Sequence, residues 1–351
     1  MDNSHSTTDC PGNSRPVVHQ SDTPVFETAL TQALGIKHPI LCGGLMWLAD
    51  ARYVSAVVNA GGMGFMTPRS YPGLDAYKEG LLECSRLTEG RPFGVNLFIA
   101  ARDEENQQLD AYLNIALEAG VRTFETAGRS PEQIMPTLRK AGAKLVHKAT
   151  TLKHAIKADK LGVDGVILLG GECGGHPGTN TVPAMVMAAL ARPQIKAPLI
   201  VGGGIGSGAQ LLAALALGAD GILMGSRMLV SDEIWAHDAY KKYLLKAGEN
   251  STRTVLSSIG NTYRCLDNET ARKVGELEHA GVRDFETLAP YIRGIVQKEA
   301  YISGDFEKGI LSLGPSVAFA DRIEPVAQIF SRILDDAKHA KYALDTKVVA
   351  G

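Results

Sequence analysis

From about residue 30 onward the chain repeats one pattern. A stretch with apolar residues at helical spacing ends in glycine, a small or β-branched residue follows, and a short apolar run comes next. The instances are Ala60-Gly61-Gly62-Met63-Gly64-Phe65, Ala119-Gly120-Val121-Arg122-Thr123-Phe124, Ala141-Gly142-Ala143-Lys144-Leu145-Val146, Leu161-Gly162-Val163-Asp164-Gly165-Val166 and Leu217-Gly218-Ala219-Asp220-Gly221-Ile222. A glycine in the left-handed conformation closes a helix, and an apolar run without polar alternation suits a strand buried on both faces. Further strand candidates are Ile40 to Cys42 after Pro39, Phe93 to Phe98, and Leu199 to Gly202 after Pro198. About eight strands alternating with helices, at spacings near 20 residues, predict an α/β fold of the (β/α)8 TIM-barrel kind. An open doubly wound sheet is the competitor, and the absence of a GxGxxG turn near the start counts against it.

The pattern fades after Met228. Residues 232 to 305 read as helices, with apolar positions at helical spacing in Asp232 to Lys246 and a charged helix over Asn268 to Leu277. The organisation expected is a flexible N-terminal arm (1–25), a barrel domain (26–230), a smaller helical subdomain near the C-terminus (231–310) and a segment packing back on the barrel (311–351). That last segment holds a helix over Pro325 to Ala343, with Val326, Ile329, Phe330, Ile333 and Leu334 on one face. The arm follows from the Ser, Thr, Asp, Asn and Pro of the first residues, which bury too little apolar surface to offset the entropy of ordering.

Composition narrows the function. The chain has 351 residues, 45% hydrophobic, with 36 basic and 38 acidic residues giving a net charge of -2, so no nucleic-acid or anionic-membrane partner is expected. No apolar stretch reaches the roughly 18 residues of a membrane span. The five cysteines, at 10, 42, 84, 173 and 265, show no metal-ligand spacing, and a reduced cytoplasmic setting with no metal is expected. A small molecule is the expected partner.

In a barrel the loops after the C-terminal ends of strands carry the site. Gly43-Gly44-Leu45 follows the first strand, where glycines let backbone approach a flat ligand. Gly170-Gly171-Glu172-Cys173-Gly174-Gly175-His176-Pro177-Gly178 follows the sixth, and its glycines suggest room for a ligand beside one imidazole, His176, able to take a proton from a carbon acid. A Cys173/His176 nucleophile lacks a third orienting group. The turns at Gly203-Gly204 and Gly225-Ser226 follow the seventh and eighth strands, where barrels build phosphate sites from backbone N–H groups and a helix N-terminus capped here by Ser207. One visible cradle favours flavin mononucleotide, FMN, over a dinucleotide. Asn96 ends a strand and offers an amide, and Lys148 offers a cation for a reduced flavin ring. His147 and His154 read as surface or supporting residues.

These motifs in this order, from Pro39-Ile40 and Asn59-Ala60-Gly61-Gly62-Met63-Gly64 through Phe93-Gly94-Val95-Asn96, Glu172-Cys173-Gly174-Gly175-His176-Pro177-Gly178, Gly202-Gly203-Gly204-Ile205 and Met224-Gly225-Ser226-Arg227, resemble the nitronate monooxygenases, or 2-nitropropane dioxygenases. The resemblance covers roughly residues 28 to 335. It implies an FMN-binding TIM barrel with His176 as catalytic base, and flavin held by backbone around Gly43, Gly44 and Leu45, the side chains of Asn96 and Lys148, and the turns at Gly203-Gly204 and Gly225-Ser226. It further implies one-electron oxidation of an alkyl nitronate, with dioxygen as co-substrate and a carbonyl compound and nitrite as products. With a neutral nitroalkane, His176 would first remove the proton alpha to the nitro group. A homodimer is the admitted assembly.

The chain departs from the family pattern at Leu169, at Gly314-Pro315, and at Phe124-Glu125-Thr126-Ala127-Gly128, which stands in place of a Phe-Gly-x-Pro segment. The alternative on the same scaffold is an NAD(P)H-dependent quinone or enoyl reductase.

Overall fold

A computed structural model describes residues 25–179 and 181–348, so all of the expected N-terminal arm but Val25 lies outside the described residues. Eight parallel strands pair in sequence order: β1 (Ile40–Cys42), β2 (Met63–Met66), β3 (Gly94–Ile99), β4 (Thr123–Gly128), β5 (Lys144–Ala149), β6 (Gly165–Leu169), β7 (Leu199–Gly202) and β8 (Gly221–Met224). β8 closes on β1, with Ile40 opposite Ile222 and Cys42 opposite Met224. Closure decides between the two candidate architectures, because an open sheet keeps two free edges and this one keeps none. The chain is a TIM barrel.

The crossovers supply α1 (Ala29–Leu34) before β1 and then α2 (Ala51–Asn59), α3 (Leu74–Leu87), α4 (Leu109–Glu118), α5 (Met135–Lys140), α6 (Leu152–Leu161), α7 (Ala184–Ala191) and α8 (Gly208–Ala216). The glycines that end the helical stretches behave as the pattern predicts: Gly61, Gly120, Gly142, Gly162 and Gly218 all have φ between 64° and 91°. Apolar side chains then fill two layers. Leu41, Phe65, Val146, Ile167, Ile200 and Leu223 pack inside the barrel, where Leu30 and Leu34 of α1 close its N-terminal end. A larger layer lies between strands and helices.

After β8 the chain continues through α9 (Asp238–Leu244), β9 (Thr252–Val255), β10 (Tyr263–Leu266), α10 (Glu269–His279), α11 (Phe285–Ile292) and α12 (Gly294–Ser303). The stretch read as wholly helical therefore contains an antiparallel hairpin, with Tyr263 opposite Val255 and Leu266 opposite Thr252. The β-branched residues of Thr252-Arg253-Thr254-Val255, paired with Tyr263, Cys265 and Leu266, favour a pleated, half-buried surface over a helix. The helix after residue 231 starts later than expected, at Asp238, capped by His237 Nδ1 accepting from the Ala239 N–H, and ends at Leu244. The last helix, α13 (Val326–Asp345), buries Ile329, Phe330, Ile333 and Leu334. It packs on α8, whose Ala209 N–H donates to the Asp336 carboxylate at 3.0 Å. Glu324, itself buried, accepts from Arg227 at 3.0 Å and Arg332 at 2.7 Å and ties the turn after β8 to this helix. Among the described residues no helix is long and apolar enough to cross a membrane.

Candidate functional site

His176 stands on the loop from β6 to α7, and most of that loop's glycines turn out to serve packing. A Cβ on Gly170 would come within 2.5 Å of the Ala184 backbone, one on Gly171 within 2.6 Å of Thr181, and one on Gly174 within 2.8 Å of Leu313. The expectation that these glycines leave room for a ligand is corrected accordingly: they let three stretches of backbone meet. Glu172 accepts from the Ala184 N–H at 3.0 Å, at the start of α7, so its carboxylate is engaged with the helix end.

The hairpin clamps this loop. Gly175 and Arg264 exchange backbone hydrogen bonds of 2.9 and 2.7 Å, and Arg264 Nε donates to the Gly171 carbonyl at 3.1 Å. The neighbouring Tyr263 presents its ring edge to His176, with centroids 4.8 Å apart. The His176 side chain is solvent-accessible at the mouth, yet protein crowds it closely enough that lost hydration lowers its pKa below the ordinary imidazole value. The neutral base form is therefore the one present at pH 7. Cys173 is buried, and burial pushes its thiol up to about 12, which closes the nucleophile reading.

A second group lies inside the barrel mouth. Glu125 on β4 is fully buried, and its Oε2 accepts from Lys148 Nζ at 2.8 Å, Asn96 Nδ2 at 2.5 Å and the Gly44 N–H at 3.2 Å. Its Oε1 has no hydrogen-bond partner. Lys148 and Asn96, read as groups offered to a cofactor, are thus both engaged with a carboxylate that the sequence reading passed over. Gly44 also has no room for a side chain, since a Cβ would stand 2.5 Å from Asn96 Cβ and 2.7 Å from Thr67 Oγ1. Its glycine is required by packing against Asn96, and at Gly43 a Cβ would already stand 3.1 Å from Lys148 Nζ and 3.2 Å from Leu223 Cδ1.

The turns after β7 and β8 meet near the same mouth. Gly203 and Gly204 have φ of 97° and 73°, and Gln210 Nε2 holds the Gly204 carbonyl at 2.8 Å. The N-terminus of α8, expected to help bind phosphate, is closed by this chain's own groups. Ser207 and Gln210 form a capping box, Gln210 Oε1 takes the Gly206 N–H at 2.8 Å, and Asp336 takes the Ala209 N–H. Ser226 Oγ accepts from the Gly314 N–H at 2.7 Å, and its O–H can still donate. Gly225 differs from all of these. A Cβ there would meet nothing closer than Leu45 Cδ2 at 3.8 Å, and its φ is negative, so neither packing nor conformation asks for glycine.

A cavity of about 500 Å³ opens beside Asn96, Met46 and Thr67, lined further by Arg69, Phe98 and Tyr112. Thr67 Oγ1 is buried without a hydrogen-bond partner, like Glu125 Oε1. Open space at Gly225 and unpaired polar atoms at the mouth leave room for a polar ligand. Among the described residues no group of three or more His, Cys, Asp or Glu is placed to hold a metal ion. His147 is not on the surface: it is buried, shares a 2.8 Å hydrogen bond with Thr126 Oγ1, and burial lowers its pKa to about 4. His154 is exposed in the first turn of α6.

The sequence model of the family described as nitronate monooxygenase matches residues 27–336. A 5-hydroxy-7a-methyl-1-oxo-octahydro-1H-indene-4-carboxyl-CoA dehydrogenase of Mycobacterium tuberculosis is 34% identical over 71% of this chain and 68% of that one. Among solved structures, FabK from Thermotoga maritima superposes with a TM-score of 0.84 at 29% identity, covering 92% of this chain and all of that one. A nitroalkane oxidase from Streptomyces ansochromogenes does so with a TM-score of 0.75 at 25% identity, covering 90% of this chain and all of that one.

Proposed function

The chain belongs to the nitronate monooxygenase family, and from that premise we propose that it is an FMN-dependent oxidoreductase that oxidises alkyl nitronates or nitroalkanes with dioxygen to carbonyl compounds and nitrite. The observation that carries this reading is His176: an accessible imidazole, neutral at pH 7, on a loop fixed at both ends at the C-terminal mouth of a TIM barrel.

Backbone at Gly203, Gly204, Gly225 and Ser226 would hold the phosphate, and Gly43, Leu45, Asn96 and Lys148 would border the ring. When bound, the flavin supplies the electron acceptor. A carbon acid entering beside His176 loses its alpha proton to the unprotonated imidazole nitrogen. The edge of Tyr263 restricts how far the ring can turn away from it. The Lys148 ammonium, held by Glu125, faces the charge that builds up as the substrate is deprotonated and oxidised.

A second reading has its own support. The 34% identical relative is a CoA-ester dehydrogenase, and removal of a proton alpha to a thioester carbonyl asks the same of His176 as removal of one alpha to a nitro group. The deciding experiment is an anaerobic absorbance titration of the flavin-loaded protein with propyl-2-nitronate, with an acyl-CoA, and with NADH and NADPH. A change in the oxidised-flavin absorbance on adding nitronate, short of full bleaching and with no response to nicotinamides, is expected. Bleaching by the acyl-CoA alone moves the assignment to a dehydrogenase, and bleaching by a nicotinamide moves it to a reductase.

A further inference from the structure

We propose that Glu125 is a positioning residue of the cofactor site, which fixes Lys148 and Asn96 at the barrel mouth and, by balancing the lysine's charge, sets how strongly the site favours reduced over oxidised flavin. The proposal rests on the reading that this mouth binds FMN.

Three strands contribute to the arrangement. Asn96 on β3 pairs directly with Glu125 on β4, and Lys148 reaches across from β5. All three side chains stand above the apolar interior layer of Leu41, Phe65, Val146 and Leu223. One carboxylate oxygen collects three donors, so losing it would release a lysine, an amide and the Gly44 backbone together. The other oxygen, buried and unpaired, lies 3.3 Å from where a Gly43 Cβ would stand, on the surface read as facing the flavin ring.

The electrostatic consequence follows from the pairing. A lone ammonium at the mouth would act on a bound group as a full positive charge and strongly stabilise the negative charge of the reduced cofactor. Joined to a carboxylate 2.8 Å away it presents a dipole, whose effect falls off faster with distance. Removing either partner exposes the charge of the other in a poorly solvated place. Removal of the acid and removal of the base should therefore push the cofactor in opposite directions, which a purely structural role does not do.

The test is the midpoint potential of bound FMN in wild type, Glu125→Gln, Lys148→Met and the double variant, with flavin content measured by absorbance. Glu125→Gln is expected to raise the potential by the equivalent of a roughly tenfold gain in affinity for reduced over oxidised FMN, about 30 mV for a two-electron couple. Lys148→Met is expected to lower it, and the double variant to return near wild type. An unchanged or lowered potential in Glu125→Gln with FMN bound overturns the proposal and leaves the cofactor reading standing. Wild-type protein that takes up no FMN overturns both. Should Glu125→Gln fail to fold, Lys148→Met decides alone, and a potential that is unchanged or raised overturns the proposal.

Discussion

The phenol ring of Tyr263 stands edge-on to the imidazole of His176, with 80° between their planes. The contact joins a strand of the hairpin to the imidazole of the loop after β6. Substituting His176→Asn should lower turnover of a neutral nitroalkane by a factor of about 10²–10⁴, the usual cost of a lost general base, while flavin content stays at the wild-type level. A preformed nitronate has already lost its proton and should be turned over nearly as fast as by wild type. Equal losses on both substrates would remove His176 from the role of base.

The pH profile should carry the same signature. Because lost hydration lowers the His176 pKa, the unprotonated base persists below the ordinary imidazole range. Plotted against pH, kcat/KM for a neutral nitroalkane should rise and level off at a pKa below that of free imidazole. A limb at or above the ordinary value would mean that another group titrates.

Two glycines at the mouth should respond in opposite ways to alanine. At Gly44 the added methyl meets Asn96 and Thr67 well inside van der Waals contact, so Gly44→Ala should destabilise the fold by roughly 1–3 kcal/mol of overpacking. At Gly225 the methyl meets only Leu45 at ordinary distance, so Gly225→Ala should keep the wild-type melting temperature and lose FMN. Thermal unfolding of the apo proteins and flavin absorbance after reconstitution read the two effects separately. Full flavin retention in Gly225→Ala would place the phosphate elsewhere.

Arg264, on β10, joins the hairpin to the glycine loop through Gly171 and ties it to the facing strand β9 through Thr252 Oγ1 at 3.2 Å. Arg264→Ala keeps the backbone exchange with Gly175 but removes the side-chain bond to the Gly171 carbonyl. A misplacement of the base of the order of an ångström would slow turnover by up to ~10²-fold, with FMN still bound. Steady-state kinetics beside flavin content provide the check, and wild-type kcat would show that the backbone bridge suffices.

His147 gives the fold an acid-sensitive element. In the unfolded chain its imidazole takes a proton near pH 6.5, whereas in the folded chain burial delays this to about 4. Over that window the folded state binds fewer protons, so stability falls as pH drops, by on the order of 3 kcal/mol for a shift of this size. His38, also buried with its pKa lowered to about 4, acts in the same direction. Urea unfolding at pH 7 and pH 4.5 should show the loss, and His147→Gln should reduce it. An identical pH dependence in the variant would assign the loss to other groups.

The barrel was legible because its signals are local. A glycine that closes a helix and the apolar run after it are adjacent in sequence, and each of the five such glycines adopts the conformation that reading requires. The position of His176, on the loop after β6, was legible for the same reason. Glu125 was not, because an acid within one strand acquires meaning only when β3, β4 and β5 bring Asn96 and Lys148 to it. The open space at Gly225 was likewise invisible in a sequence where packing glycines such as Gly44 and Gly174 look the same. The hairpin was missed because its alternation is short and lies between helices.

The clamp between Gly171 and Arg264 spans 93 residues of chain, and that between Ser226 and Gly314 spans 88. During synthesis the eight strands are complete well before either partner has been made, and the chain folds from its N-terminal side first. The scaffold can thus exist before its base is placed. In refolding, recovery of far-ultraviolet circular dichroism should run ahead of recovery of turnover, so a nascent barrel passes through a period in which it is shaped but chemically silent.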